Sequence, residues 1–238
     1  MKENLILAPE MLQSSIDIFG LRVDEPVTTL TDLMVSAVCL YAFFQLKRYK
    51  IDHRVYILFR GYFLCMAIST FIGGIVGHGF LYALAPQWKF LGWGLSMVAI
   101  NLMERVMIAY SRSFMPPKVT SFFSIFNIIE LIVFAILAFT TLQFRYVEIH
   151  TAYGLTVFVF GFSLYHYFWK KNRTRMISYL MWSVGFAACA SVFFLTKTGV
   201  SVWFNHVDIS HIFLCLSAYM FFLASKRMMR QMEPYENS

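Results

Sequence analysis

The chain has 238 residues, of which 59% are hydrophobic and 14% are charged, and its mean hydropathy is +0.62. Soluble globular domains carry roughly 45–50% apolar and about 25% charged residues, so this composition excludes an ordinary soluble domain. The net charge of +7 is spread in short clusters between apolar runs. That distribution is typical of membrane topology rather than of a nucleic-acid-binding surface, and we expect no nucleic-acid partner.

Seven apolar stretches are long enough to cross a hydrocarbon core about 30 Å thick, which takes roughly 20 helical residues. They cover residues 27–46, 56–81, 90–110, 119–142, 147–169, 177–195 and 204–225. The sequence therefore predicts an all-α integral membrane protein, a bundle of seven transmembrane helices at 27–225. Residues 1–26, which include Met11, Leu12, Ile16, Ile18 and Phe19, are predicted to form an amphipathic segment outside the membrane. Residues 226–238 are predicted to be a basic cytoplasmic tail.

The basic residues predict the orientation of these helices. Clusters of Lys and Arg follow the first, third, fifth and seventh stretches, whereas each of the other connections holds one basic residue. Loops rich in Lys and Arg stay in the cytoplasm. We therefore expect the N-terminus outside and the C-terminus in the cytoplasm, with the protein in a cell (inner) membrane.

Ionisable side chains from separate stretches fall at one depth, just below the predicted outer surface. Asp32 lies on the first stretch, His78 near the outer end of the second, and His206, Asp208 and His211 at the start of the seventh. Ionisable groups inside a membrane span are costly and usually functional. Imidazoles and carboxylates are donors that zinc takes, and a fourth position left to water makes such a site catalytic. The sequence predicts a zinc site with the three histidines as ligands and Asp208 and Asp32 as catalytic carboxylates.

Other polar residues are interpreted as structural. Glu25, Glu148 and His150 lie close to the predicted outer surface, where a solvated rim is expected. Two Asn-x-x-Glu pairs lie deeper, on the third and fourth stretches (Asn101 with Glu104, Asn127 with Glu130). Buried polar side chains often join helices in membranes, so we interpret these pairs as contacts between helices. The four cysteines lie in apolar runs without a CxxC motif and are interpreted as core thiols.

Seven spans, a histidine near the end of the second and a histidine cluster in the seventh resemble the CREST superfamily of membrane hydrolases. This superfamily includes alkaline ceramidases and adiponectin-receptor-like proteins. Its members hold zinc with one second-span histidine and two seventh-span histidines four residues apart, and an aspartate of the third span and a serine of the second assist. The resemblance implies that His78 is the first ligand and His211 the last, with His206 as the remaining histidine.

The chain departs from that pattern at several positions, as a divergent member would. Val207, rather than a histidine, stands four residues before His211, and Gly74 occupies the place of the serine. No aspartate of the third span lies near the site, so Asp208 or Asp32 would take its role. The resemblance covers the whole topology but depends on few residues.

The predicted function is zinc-dependent hydrolysis of an amide or ester bond in a membrane lipid at the outer leaflet. The residues leave three alternatives open. A non-catalytic receptor or structural protein would use the polar layer for assembly. A haem protein would use His78 and His211 as axial ligands, and a transporter would use Asp32, Glu104 and Glu130 as an ion route. The lipid and the oligomeric state are left undetermined.

Overall fold

The computed structural model describes residues 14–49 and 51–232. Seven helices in this part of the chain are long and apolar enough to cross a membrane, which confirms the prediction of an all-α bundle. They are α1 (Pro26–Leu46), α2 (Arg54–Gly79), α3 (Lys89–Ser111), α4 (Pro117–Thr141), α5 (Arg145–Trp169), α6 (Arg175–Thr196) and α7 (His206–Met232). Each predicted stretch matches one helix, except that α7 continues through the basic residues that begin the predicted tail.

Local sequence signals explain where several helices begin and end. Pro26 and Pro117 occupy the first positions of α1 and α4, where a missing N–H costs no hydrogen bond. Leu142 and Lys197 follow α4 and α6 in the left-handed conformation, which commonly terminates a helix. These signals explain the bounds of α1, α4 and α6.

The helices pack around a common core of large apolar side chains. Helix α1 packs against α2 and α7, α3 packs against α2, α4 and α5, and α6 packs against α5 and α7. Phe59, Phe63, Met103, Phe158 and Phe221 lie wholly inside. Large apolar side chains also cover the outside of the bundle, most densely on α4. A helix that is apolar on all sides suits a lipid environment rather than water.

Two helices depart from regular α geometry. Helix α2 ends in a π-helical segment, Gly73–Gly79, and α5 contains two more, Gly154–Gly161 and Tyr165–Trp169. Such segments are often found at functional sites because the widened turn redirects side chains. The first of them carries His78, and the second follows His150 by one turn.

The segment before α1 is a small antiparallel hairpin. Strand β1 (Ser15–Ile18) pairs with β2 (Leu21–Asp24), and the turn residues Phe19 and Gly20 have positive φ. Most of its side chains are exposed, and the Tyr82 hydroxyl donates to the Arg22 carbonyl at 2.7 Å, which ties the hairpin to the chain after α2. The Met11 and Leu12 of the predicted amphipathic segment lie outside the described residues.

Candidate functional site

Helices α1, α2 and α7 bring a group of polar side chains together at one end of the bundle. We call this group the Asp32 cluster, which comprises Glu25, Thr31, Asp32, His78 and His211, and we call this end the His211 end. Asp32 and His211 are largely buried, whereas the His78 side chain is 27% exposed. Three residues of the site predicted from the sequence are thus neighbours: Asp32, His78 and His211.

Asp32 lies between the two imidazoles. Its Oδ1 is 3.4 Å from His211 Nε2, and its Oδ2 is 3.8 Å from His78 Nε2. Both distances exceed the 2.7–3.2 Å of an ordinary N–H···O hydrogen bond. They are closer to the ~3.3 Å that separates two ligands of a tetrahedral zinc ion with bonds of about 2.0–2.1 Å. Each imidazole therefore lies near Asp32 without an ordinary hydrogen bond to it.

The hydrogen bonds of Thr31 determine which nitrogen of His211 carries the proton. The Thr31 hydroxyl donates to the Thr28 carbonyl at 3.0 Å and lies 3.0 Å from His211 Nδ1. A hydroxyl has one proton and can accept with its lone pairs, so when that proton serves Thr28 we assign the other contact as His211 Nδ1–H donating to Thr31. In the neutral imidazole Nε2 then carries a lone pair, which faces Asp32.

Glu25 orients His78 in the same way. Its Oε2 lies 2.5 Å from His78 Nδ1, and an ionised carboxylate can only accept, so Nδ1–H donates to Glu25. The Nε2 lone pair of neutral His78 again faces Asp32. A second partner on the far ring nitrogen is typical of metal-binding histidines, and both imidazoles of the Asp32 cluster have one.

Two glycines of α2 make room for the Asp32 carboxylate. A Cβ on Gly73 would lie 3.1 Å from Asp32 Oδ2, and one on Gly74 would lie 3.0 Å from both Asp32 Cβ and the Thr29 carbonyl oxygen. Larger side chains would push α1 and α2 apart. The glycines at these two positions allow α1 and α2 to approach closely. Asp32 therefore lies beside the π-helical turn that carries His78.

The other two predicted site residues lie at the start of α7. Asn205 Oδ1 accepts from Val207 N at 2.7 Å, and Asp208 Oδ2 accepts from Asn205 N at 2.6 Å, a reciprocal cap of the helix N-terminus. Asp208 is wholly buried, and its Oδ1 has no hydrogen-bond partner among the described residues. The His206 ring packs against Phe194, with centroids 5.9 Å apart. In the described chain His206 forms no ion pair or hydrogen bond with Asp32, His78 or His211.

A second polar group lies between α3, α4 and α5. We call it the Glu104 cluster, which comprises Glu104, Asn127, Glu130 and His150. His150 Nδ1 lies 2.7 Å from Glu130 Oε1, and Asn127 Nδ2 donates to Glu104 Oε2 at 2.7 Å. The interpretation of His150 as a solvated rim residue is wrong, because its side chain is wholly buried.

The two Asn-x-x-Glu pairs join α3 to α4, as the sequence indicates. Asn101 Nδ2 donates to the Asn127 carbonyl at 2.9 Å, and Asn127 Nδ2 lies 3.4 Å from the Asn101 carbonyl. His150 of α5 is not expected from the sequence to join these pairs. Depth along a helix does not show which face of the helix a residue occupies. The position of His150 five residues after Arg145 is also compatible with a rim.

The two clusters differ in compactness. Among the described residues, one group has three potential ligand atoms all within 4.8 Å of one another, namely Glu104, Glu130 and His150. His78, Asp32 and His211 form a row through Asp32 instead, with ring centroids of the two histidines 6.3 Å apart.

Comparison with known proteins assigns the chain no activity. The model of a family of unknown function (DUF6962) matches residues 27–230. No curated protein and no solved structure matches. The matched range contains both clusters apart from Glu25, so any function has to be inferred from their chemistry.

Proposed function

Since the chain belongs to the DUF6962 family of unknown function, we propose its activity from the Asp32 cluster: it is a zinc-dependent membrane hydrolase that cleaves an amide or ester bond of a lipid. In this proposal the seven helices cross a cell (inner) membrane with the N-terminus outside. The Asp32 cluster then lies on the extracytoplasmic side, at the depth of the lipid headgroups. The resemblance to the CREST superfamily supports the same placement of a zinc site.

The observation that carries the proposal is that His211 and His78 both turn Nε2 toward Asp32, while Thr31 and Glu25 contact their Nδ1 atoms. With the proton of each neutral ring assigned to Nδ1, both Nε2 lone pairs face a carboxylate. Acceptors that face one another repel unless a cation or proton lies among them. Two imidazoles and one carboxylate match the nitrogen and oxygen donors that catalytic zinc sites use, with a position left for water.

The chain's own residues would then divide the work of hydrolysis. Bound zinc lowers the pKa of a water molecule to about 7 and polarises a carbonyl. Glu25 and Thr31 hold the two imidazoles in place. Asp208 Oδ1, buried and without a partner in the described chain, would accept the proton of the attacking water and pass it to the departing amine or alcohol. Water is thereby added across the acyl bond, which yields a fatty acid and the remaining amine or alcohol of the lipid.

The exposure of His78 gives the substrate a route to the cluster. Because its side chain is 27% exposed while Asp32 and His211 are largely buried, a headgroup at the His211 end would meet His78 first. The geometry favours a small cation over the haem alternative. Both Nε2 atoms face the oxygens of Asp32, whereas axial haem ligands must face one iron with the macrocycle between them.

The experiment that tests the proposal combines metal analysis with a lipid assay on detergent-purified protein. We expect about one zinc ion per chain at the Asp32 cluster and hydrolysis of one or more members of a panel of lipids that carry the same fluorescent acyl group in amide or ester linkage. A His78→Ala, His211→Ala double variant should lose that zinc ion and the hydrolysis. Wild-type hydrolysis by the double variant would overturn the proposal.

Two further variants make this test specific. His53 caps α2 by accepting from Val55 N, and asparagine is a preferred capping residue, so His53→Asn removes a histidine at little cost to the fold and should retain metal and activity. His206→Ala tests whether His206 is a zinc ligand, as the sequence predicts, or only packs against Phe194, as in the structure. If His206 is a ligand, the variant loses zinc; if it only packs against Phe194, zinc remains.

A further inference from the structure

We propose that the Glu104 cluster is a second divalent-cation site, in which Glu104, Glu130 and His150 hold the ion and join α3, α4 and α5. This inference is independent of the proposed hydrolase activity, because the Glu104 cluster shares no residue with the Asp32 cluster. A shared ion requires that the potential ligand atoms of the three side chains lie close together, and they lie within 4.8 Å of one another.

Unpartnered oxygen atoms are concentrated in this cluster. Glu104 Oε1, Glu130 Oε2 and Asn127 Oδ1 are all buried without a hydrogen-bond partner among the described residues. Buried polar atoms in folded proteins are nearly always paired, and a buried carboxylate oxygen without a partner is strongly destabilising. These three acceptor oxygens have no hydrogen-bond donor among the described residues, and a bound cation would provide the missing partner.

The orientation of His150 makes it the third proposed ligand. Its Nε2 lies 3.0 Å from the Met97 carbonyl oxygen, which can only accept, so the proton of the neutral ring is on Nε2. Nδ1 then presents its lone pair toward Glu130. A histidine whose far nitrogen donates to a backbone carbonyl is oriented as metal-binding histidines usually are.

The charge of the cluster also calls for a divalent ion. To bind an ion through Nδ1, His150 has to be neutral, since its 2.7 Å contact with Glu130 is an ion pair when the ring is protonated. Glu104 and Glu130 then carry two negative charges, which a divalent cation would cancel. Arg105 follows Glu104 in the chain, but its Nε lies 3.4 Å from Asn101 Oδ1, and in the described residues it forms no ion pair with either carboxylate. Unpaired charge at this depth is expensive, so the proposed ion takes the place of the His150 Nδ1 proton and balances both carboxylates.

The surroundings indicate a structural rather than a catalytic ion. Glu104 and His150 are wholly buried. The backbone of α5 also lies directly against Glu104, since a Cβ on Gly154 would overlap Glu104 Oε1 and lie 2.7 Å from Ile100 Cγ2. Structural metal sites are closed, whereas catalytic sites keep a position open. Carboxylate and imidazole donors suit zinc, and also manganese or iron.

Metal content per chain tests this inference separately from the proposed function. We expect about two divalent ions in the wild-type protein and about one in a Glu104→Gln, Glu130→Gln double variant, because amide oxygens carry no charge and bind such ions weakly. Glu148→Gln is the matched control: it removes a carboxylate from α5, two residues from His150, and should leave two ions. The His78→Ala, His211→Ala variant should keep the ion of the Glu104 cluster.

Each pattern of loss has one meaning. A single wild-type ion that is lost only with the glutamine substitutions supports this inference and overturns the hydrolase proposal. A single ion that is lost only with the histidine substitutions does the reverse, and the Glu104 cluster then holds a shared proton between Glu130 and His150. Metal-free wild-type protein overturns both.

Cobalt(II) provides a measurement that does not depend on the double variant folding. Glu130→Gln alone preserves the side-chain volume, and circular dichroism checks its helix content. It should weaken cobalt(II) binding at the Glu104 cluster by about tenfold or more, seen as loss of the visible bands of the bound ion. Unchanged cobalt(II) spectra and affinity in folded Glu130→Gln would overturn the inference.

Discussion

The Asp32 cluster and the Glu104 cluster use the same residue types in inverse proportion. The Asp32 cluster sets two imidazoles around one carboxylate and has a partly exposed histidine, whereas the Glu104 cluster sets two carboxylates around one imidazole and is closed. Each cluster joins three helices: α1, α2 and α7 for the first, and α3, α4 and α5 for the second. The comparison indicates that exposure, rather than residue composition, distinguishes a catalytic site from a structural one, because a catalytic site keeps a coordination position open to water or substrate.

The position of unpartnered oxygens sharpens this difference. In the Glu104 cluster two of the three unpartnered oxygens belong to Glu104 and Glu130, which are the proposed ligands. Beside the Asp32 cluster the free oxygen belongs to Asp208, whose other oxygen caps α7. The unpartnered oxygen of Asp208 is suited to proton transfer because Asp208 is not a proposed ligand. The unpartnered oxygens of Glu104 and Glu130 are suited to cation binding because both residues are.

The largest expected effect comes from Asp208→Asn. Removing a general base typically lowers the rate about 10²–10⁴-fold, so lipid hydrolysis should fall by that factor. Thermal stability should change little, because the asparagine oxygen can still accept from Asn205 N. Asp17→Asn, an exposed hairpin residue, is the control for loss of one carboxylate. A normal hydrolysis rate in Asp208→Asn would show that Asp208 only caps the helix.

The next effect tests the closed packing of the Glu104 cluster. Gly154→Ala places a methyl group against Glu104 Oε1 and Ile100, and overpacking of this kind costs about 1–3 kcal/mol. The measurement is thermal unfolding in detergent. Gly185→Ala, where a Cβ meets nothing within 4 Å, should be neutral or stabilising because alanine favours helix. Equal unfolding temperatures for the two variants would contradict the proposed packing.

Much of the fold can be predicted because apolar length is a strong signal. The seven stretches correspond to α1–α7. The predicted membrane-crossing part of the last one ends at residue 225, just before the first basic residue, Lys226. The helix continues to Met232 because no proline or glycine interrupts it. A helix can extend beyond the hydrocarbon core, so the length of the apolar run does not determine where it ends.

Less of the candidate site can be predicted, because depth does not give the angular position of a side chain. Asp32, His78 and His211 share a depth and also meet. His206 shares that depth, but it is five residues before His211, about 140° round an ideal helix, and it packs against Phe194. The error on His150 has the same cause. Its burial depends on how α3 and α4 pack, which a single sequence does not show.

The smallest expected effect tests the orientation of His211 by Thr31. Thr31→Val keeps the side-chain shape and removes the acceptor for His211 Nδ1–H, so zinc affinity of the Asp32 cluster should fall about 10–100-fold. Thr31→Ser keeps the hydroxyl and should bind nearly as the wild type, and affinity at the Glu104 cluster should not change in either variant. Competition with a chromophoric chelator measures both sites. If the valine and serine variants bind zinc with the same affinity, the hydroxyl makes no specific contribution, and the assigned Nδ1 proton of His211 is wrong.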